Sequence, residues 1–343
     1  MKAKGSAYKA AGVDIENKMR ALRAVKKLVG ATRTPGVLSE IGSFGGMFAS
    51  PGRGQALVAS TDGVGTKLKV AVMAGRHDTI GQDLVNHCVN DILVHGAAPL
   101  FFLDYFGVSG FDGQVFQSVV RGLCKACRAN RCALLGGETA EMPGLYPQGE
   151  YDLVGTIVGV VERKKIITGN RIRPGDVLLG LPSSGLHTNG YSLARRVIFD
   201  IAGLRPNDFL PGTRQRVADV LLRVHRSYLT PVQALLRKVS ALGMAHITGG
   251  GFEDNVPRML PADTDAVIDC RAWRVPAIFK FIQERGRVDR DEMYRVFNMG
   301  IGMVIAVRAA DQPAALRILK EQGVAPRVIG RIEKGSRQAR LSF

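Results

Sequence analysis

Apolar and polar positions fall into two regimes along the chain. Up to about residue 54 the pattern is loose: a helical segment runs roughly from Ile15 to Val29, and a glycine-rich piece, Gly42 to Phe48, follows. From Leu57 onward, short apolar runs alternate with amphipathic stretches, which predicts strands alternating with helices. Ala56–Ala59 reads as the end of a strand. About Asp78 to His95 reads as a helix with Ile80, Leu84, Val85, Val89, Ile92 and Leu93 on one face. Asp83, Asn86, His87, Asn90 and Asp91 recur at i, i+3, i+4, i+7 and i+8 on the other. A solvated face is usually rich in Lys and Glu; this stripe has neither, so it reads as a row of ligands and hydrogen-bonders.

Pro99–Phe106 is a continuous apolar run, as in a strand buried on both faces. A helix over about Gly113–Asn130 and strands at Cys132–Leu135 and Tyr151–Val161 complete this half. The basic segment Arg163–Gly175, closing on Pro174-Gly175, marks a boundary between domains spanning 1–170 and 171–343. The second half reads as a strand (Asp176–Leu181), a Ser/Gly loop to Gly190 and a helix. A glycine cluster at His246–Asn255 precedes a short helix stopped near Pro257. Then come a strand (Ala266–Asp269), a helix (Pro276–Glu284), the apolar stretch Phe297–Ile305, a helix (Gln312–Gln322) and a last strand, Arg327–Ile332. The fold class this order predicts is α/β in two domains.

Length and composition agree: 343 residues, 46% hydrophobic and 22% charged, describe a globular chain of about two domains. No stretch approaches the ~18 apolar residues of a membrane span, and no apolar segment follows the charged N-terminus as in a secretory leader. With an odd count of five cysteines, a reducing cytoplasmic location is expected and no membrane partner. Cys124-Lys125-Ala126-Cys127 lacks the second pair a zinc site needs and lies near a helix end, so its cysteines read as packing residues. The net charge of +17 leaves two readings: a nucleic-acid-binding protein, or a basic enzyme of phosphorylated metabolites. Aromatics are only 6% and interleave with no basic run, so the metabolic reading is the better one.

The chemistry concentrates where strands end in glycines. Ser60-Thr61-Asp62-Gly63-Val64-Gly65-Thr66-Lys67 combines an acid, two glycines, a hydroxyl and a lysine. Glycines let backbone N–H groups turn toward an anion, Lys67 offers a point charge, and Asp62 a hard oxygen for Mg²⁺. The stretch lacks the G-x-x-x-x-G-K-[ST] spacing of a P-loop. Gly136-Gly137-Glu138-Thr139 ends another strand. Ligands gather at the carboxyl ends of strands in such folds, so Asp62, Asp91 and Glu138 are expected to converge on one cation. His187 lies in a hydroxyl-rich loop, a candidate for proton transfer or phosphate contact.

Several motifs together resemble the phosphoribosylformylglycinamidine cyclo-ligase (aminoimidazole ribonucleotide synthetase) family. They are Tyr8–Asp14, Thr61–Lys67, His77–Gly81, Val89-Asn90-Asp91, Pro99–Tyr105, Gly136–Gly144, Ser183–Gly190, His246–Phe252 and Phe297–Met303, in order over nearly the whole chain. One departure is Leu186-His187-Thr188, where the family usually has proline, histidine, serine. The resemblance implies ATP-dependent cyclisation of formylglycinamidine ribonucleotide, and a homodimer whose N-terminal strands build a shared barrel. The N-terminal domain would then bind ATP and dimerise. ATP and Mg²⁺ would be held by Lys9, Asp62, Gly63, Gly65, Thr66, Lys67, Asp83, Asn90, Gly136, Gly137 and Thr139, with the metal on Asp62, Asp91 and Glu138. Ser183, Ser184, Gly185, His187, Asn189, Gly249, Gly250 and Gly251 would hold the phosphorylated substrate. His187, Lys67 and Asp91 would be catalytic. Another ATP-using kinase or synthetase of the same superfamily is the nearest alternative.

Overall fold

The computed structural model describes residue 7 and residues 36–39, 46–50 and 54–343. Lys9, the Ile15–Val29 helix and most of the glycine-rich piece before Gly46 lie outside the described residues.

The first half forms a five-stranded sheet, order β1-β2-β5-β3-β4, from β1 (Gly46–Ala49), β2 (Gln55–Gly63), β3 (Ala98–Val108), β4 (Ala133–Glu141) and β5 (Tyr151–Glu162). Pairing is antiparallel except between β3 and β4. Helix α1 (Lys67–Ala74) leaves β2; α2 (Ile80–Leu93) and α3 (Gly113–Ala129) follow. Along β5, burial alternates so that Leu153, Ile157 and Val161 face the core. The six apolar residues of α2 are 0–1% exposed, each contributing about 1.5–3 kcal/mol of transfer free energy. Helices α2 and α3 cross at Gly81 and Gly122: a Cβ on Gly81 would lie 2.3 Å from the Val119 carbonyl oxygen, so only glycine allows this approach.

Strands β2 and β4 run further than the apolar pattern indicates. The pattern ends the first strand at Ala59, yet Ser60–Gly63 continue the ladder, helped by a 2.8 Å hydroxyl pair between Thr61 and Thr156. Likewise Gly136–Glu141 are not a loop but strand, paired to β3 from Leu103 to Val108. Backbone pairing with a neighbour extends a strand past its apolar residues.

The second half is a six-stranded sheet, order β11-β8-β10-β6-β9-β7. Its elements are β6 (Val177–Pro182), α4 (Tyr191–Arg195), α5 (Val217–Leu221), α6 (Leu229–Leu236), β7 (Gly243–His246), α7 (Gly251–Asn255), β8 (Thr264–Asp269), α8 (Ala277–Gly286), α9 (Arg290–Val296), β9 (Ile301–Val307), α10 (Gln312–Glu321), β10 (Arg327–Lys334) and β11 (Ala339–Ser342). Every residue of β9 is buried. The apolar pattern makes Arg327–Ile332 the last strand; the structure adds β11, parallel to β8. Its turn is held by Asp265 Oδ1, which accepts from the N–H groups of Ser336 (2.8 Å) and Gln338 (2.9 Å). With only Ala339 and Leu341 half-buried, β11 carries too little apolar signal to be read from sequence. No helix among the described residues is long and apolar enough to cross a membrane.

Candidate functional site

The polar stripe of α2 lies buried between the two sheets, and it divides into two clusters. The first clamps residues 223–228, an irregular segment whose backbone groups need partners once buried. Asp83 Oδ1 accepts from the His225 N–H at 2.7 Å, and Asn86 donates to the His225 carbonyl at 2.7 Å. Asn90 accepts from the Tyr228 N–H at 2.9 Å and donates to the Arg226 carbonyl at 2.8 Å. Lys67, with no exposure, sits 2.8 Å from Asp83 Oδ2 and donates to the carbonyls of His187 (3.1 Å) and Arg223 (2.7 Å).

This corrects three expectations. Lys67 is fully buried, donating to two carbonyls and ion-paired with Asp83, so it does not reach the cleft as a phosphate contact. Asp83 and Asn90 staple the two halves together rather than orient a nucleotide. Burial lowers the Lys67 pKa and, against the ion pair, raises the Asp83 carboxyl to about 6.

The second cluster opens on a cleft of ≈ 400 Å³ lined by Ser60, Asp62, His87, Asp91, Asn189, Thr248, Gly249 and Arg258, among others. Ser60 Oγ stands 3.4 Å from a carboxylate oxygen of Asp62 and 3.4 Å from one of Asp91. Burial pushes the Asp91 carboxyl well above its usual range, and the Asp62 charge adds to this. His87 Nε2 lies 3.7 Å from both Asp62 Oδ1 and Asp91 Oδ2. Behind this wall a chain of contacts runs from Asp91 Oδ1 to His246 Nδ1 (2.7 Å) and from His246 Nε2 to His225 Nε2 (3.0 Å). It continues from His225 Nδ1 to Thr188 Oγ1 (3.3 Å) and ends at His87 Nδ1 (2.8 Å). Burial holds His225 and His246 neutral, His246 down to about 3. His225, His246 and Thr188 carry no call from sequence; His225 stands outside every motif, and its only signal is its place in a polar gap between apolar runs.

The remaining expected residues separate cleanly. Glu138 does not join Asp62 and Asp91. The rows Asp62–Gly155–Asp104–Gly137 and Gly63–Val154–Tyr105–Glu138 put β4 three strands away from β2, about 14 Å at the usual strand spacing. Alternation then turns the exposed Glu138 to the opposite face. Gly136, Gly137 and Thr139 share that exposed strand, and a Cβ on Gly137 would meet the Asp104 carbonyl oxygen at 2.4 Å, which is a packing reason for the glycine. Gly63 ends β2, Gly65 turns with φ +70°, and the Thr66 hydroxyl meets Ser192 Oγ at 3.2 Å.

His187 is 1% exposed with φ +63°; its ring stacks on His225 at 3.9 Å and its Nε2 accepts from the Ser184 N–H at 3.2 Å. Burial, with His246 and Lys67 nearby, pulls its pKa well down. It is a neutral ring supporting the wall from behind, not a phosphate contact. Ser183 Oγ is placed to donate to the Gly185 carbonyl within the loop (3.0 Å) and to Asn298 Oδ1 before β9 (2.9 Å), and Ser184 Oγ donates to the Val224 carbonyl (2.6 Å); the Gly185 carbonyl also accepts from Asn298 Nδ2. Gly250 and Gly251, at φ +93° and +61°, shape the turn into α7. Of the substrate-loop residues, Asn189 and Gly249 reach the cleft, and the buried Asn189 Nδ2 has no hydrogen-bond partner among the described residues.

Comparison with known proteins bears on this arrangement. The N-terminal domain of the "AIR synthase related protein" family matches residues 44–161 and its C-terminal domain residues 173–341. The phosphoribosylformylglycinamidine cyclo-ligase of Geobacter metallireducens is 51% identical over 337 residues, 97% of each chain. That of Alkaliphilus oremlandii is 45% identical over 337 residues, 97% of this chain and 99% of the relative. Among solved structures, thiamine-monophosphate kinase from Stenotrophomonas maltophilia aligns at TM-score 0.64 and 18% identity, covering 94% and 96% of the two chains. Hydrogenase maturation protein HypE in complex with ATP aligns at TM-score 0.61 and 19% identity, covering 96% and 92%. These two share the fold.

Proposed function

The chain belongs to the phosphoribosylformylglycinamidine cyclo-ligase family, and on that premise we propose that the cleft between its two sheets is the catalytic site. The family's reaction makes this chain an ATP-dependent ligase of purine biosynthesis, cyclising formylglycinamidine ribonucleotide to 5-aminoimidazole ribonucleotide with release of ADP and phosphate.

Ring closure must expel the formyl oxygen, a poor leaving group. Transfer of the γ-phosphoryl group to that oxygen makes phosphate the group that departs when the ribosyl-bearing nitrogen attacks the formyl carbon. The observation that carries the site is the convergence of Asp62 and Asp91 with Asn189, Thr248 and Gly249 on one cleft. Two carboxylates sharing one hydroxyl partner fit a divalent cation by their donor chemistry. Mg²⁺ bound there offsets charge on phosphate oxygens. Asn189 Nδ2, buried without a hydrogen-bond partner among the described residues, and the Arg258 side chain give the opposite wall its donors for a phosphorylated ligand.

The outer face of the first sheet carries Leu103 at 38% and Leu135 at 64% exposure. We read it as the surface a second copy covers in a homodimer, which light scattering tests directly. The function itself is tested by ADP release that requires formylglycinamidine ribonucleotide; release without that compound overturns it.

A further inference from the structure

We propose that Cys132 and Cys127 form a peroxide-reactive dithiol, which closes to a disulfide between the end of α3 and the start of β4. The site is separate from the cleft, so its test stands whatever the cleft binds.

In the sequence, Cys124-Lys125-Ala126-Cys127 is the conspicuous pair, yet the turn after α3 selects a different partner for Cys127. The Arg131 N–H donates to the Arg128 carbonyl at 3.2 Å, and the Cys132 N–H to the Cys127 carbonyl at 3.0 Å. Arg131 turns the chain at φ +55°. In a helix-ending turn of this kind, the third residue from the helix end meets the first residue past the left-handed one through its side chain. That contact is frequently apolar; here both positions are cysteine. Cys132 Sγ lies 3.7 Å from the Cys127 carbonyl oxygen, and the two thiols hydrogen-bond to each other. Asn130 holds the turn in place. Its side chain donates to Asn86 Oδ1 and to the Ala126 carbonyl, both at 2.8 Å, and accepts from the Ser227 hydroxyl at 2.6 Å. Groups held together on a fixed turn react as though highly concentrated.

The two thiols are unequal. Cys127 is 2% exposed, whereas Cys132 is half-buried, with Lys125, Arg128 and Arg131 exposed on the same turns. The hydrogen bond from Cys127 holds the Cys132 thiol below its usual range, against burial. The same bond, and then burial, push Cys127 up. An accessible thiolate backed by a sheltered thiol is the arrangement of redox-reactive pairs. The Cys132 thiolate attacks one oxygen of hydrogen peroxide: an S–O bond forms and the O–O bond breaks. The departing hydroxide takes up the proton Cys132 has given up and leaves as water. Cys127 sulfur then attacks the sulfenic sulfur of Cys132: the S–S bond forms, the S–O bond breaks, and hydroxide leaves with the Cys127 proton as a second water. The dithiol is oxidised by two electrons and the peroxide is reduced by two.

The test treats the full chain with hydrogen peroxide, then alkylates the remaining thiols and digests with trypsin. Cleavage after Lys125, Arg128 and Arg131 puts Cys124, Cys127 and Cys132 on separate peptides. The expected result is a cross-linked peptide joining Cys127 to Cys132, with two of the five thiols lost and the chain lighter by two hydrogens. Dithiothreitol should restore both thiols. In Cys127→Ser the cross-link is absent and dimedone traps Cys132 as the sulfenic acid; in Cys132→Ser, Cys127 stays a free thiol. A cross-link between Cys124 and Cys127 overturns the proposal. So does oxidation of Cys132 that forms no cross-link, or a Cys132 that stays free at a peroxide excess oxidising free cysteine. The unaltered protein gives the deciding readout, so an unstable variant does not rescue the idea.

Discussion

Two polar clusters share helix α2, and they differ in one respect. Around Lys67, Asp83, Asn86 and Asn90, the donors and acceptors meet the 223–228 backbone, the His187 carbonyl, Asn130 or one another. Around Asp62, Asp91 and His87, two carboxylates crowd together and one ring nitrogen stands 3.7 Å from each. The closed cluster joins the two domains; the open one lines the cleft. Residue type does not separate them, since each contains aspartate and a basic group. What separates them is whether the chain itself completes the coordination.

That contrast can be broken by substitution. The largest effect is expected from Asp83→Ala, which strands the Lys67 ammonium with no exposure; losing one partner of a buried pair costs about 3–5 kcal/mol. Urea denaturation measures it, and the double variant Lys67→Met, Asp83→Leu should recover most of the loss. No recovery would mean that the carbonyl contacts of Lys67, not the ion pair, hold the interface. Asp91→Asn should do the reverse, reducing turnover by about 10²–10³-fold while leaving the denaturation midpoint near that of the parent. Unaltered turnover would remove Asp91 from the site.

The clusters should also part in their response to pH. The Asp83 carboxyl, with a folded pKa of about 6 against an ordinary value of 3.8, binds its proton more tightly in the folded state. Its contribution to stability is therefore full below about pH 4 and is lost as pH rises through about 6. The difference in unfolding free energy between parent and Asp83→Asn should shrink across that window; a constant difference would contradict the raised pKa. Smallest of all is Arg76→Ala. It removes a 2.6 Å interdomain pair with Asp219 whose side chains are 41% and 51% exposed, and should cost under ~1 kcal/mol in the same denaturation assay.

The fold was legible in the sequence because apolar runs and helical periodicity survive in single elements: α2, α3, β3 and β5 lie close to where the pattern puts them. Strand β11 escaped it because pairing rather than apolar content makes it a strand. At the site, Asp62 was readable as a strand-end group, Asp91 as part of the polar stripe of α2, and Asn189 and Gly249 as loop groups, and all four line the cleft. Lys67 and Glu138 were misplaced for opposite reasons. A lysine beside glycines looks like a phosphate contact until a distant aspartate claims it. A glutamate at a strand's end looks convergent until the strand order puts it three strands away. Both errors concern partners far along the chain, which local pattern does not carry.

The clamp on residues 223–228 has a mechanical consequence. Lys67 ties the start of α1 to the His187 loop and to Arg223, and three side chains of α2 grip the same 223–228 segment. Shifting the two halves against each other would require these contacts to break together.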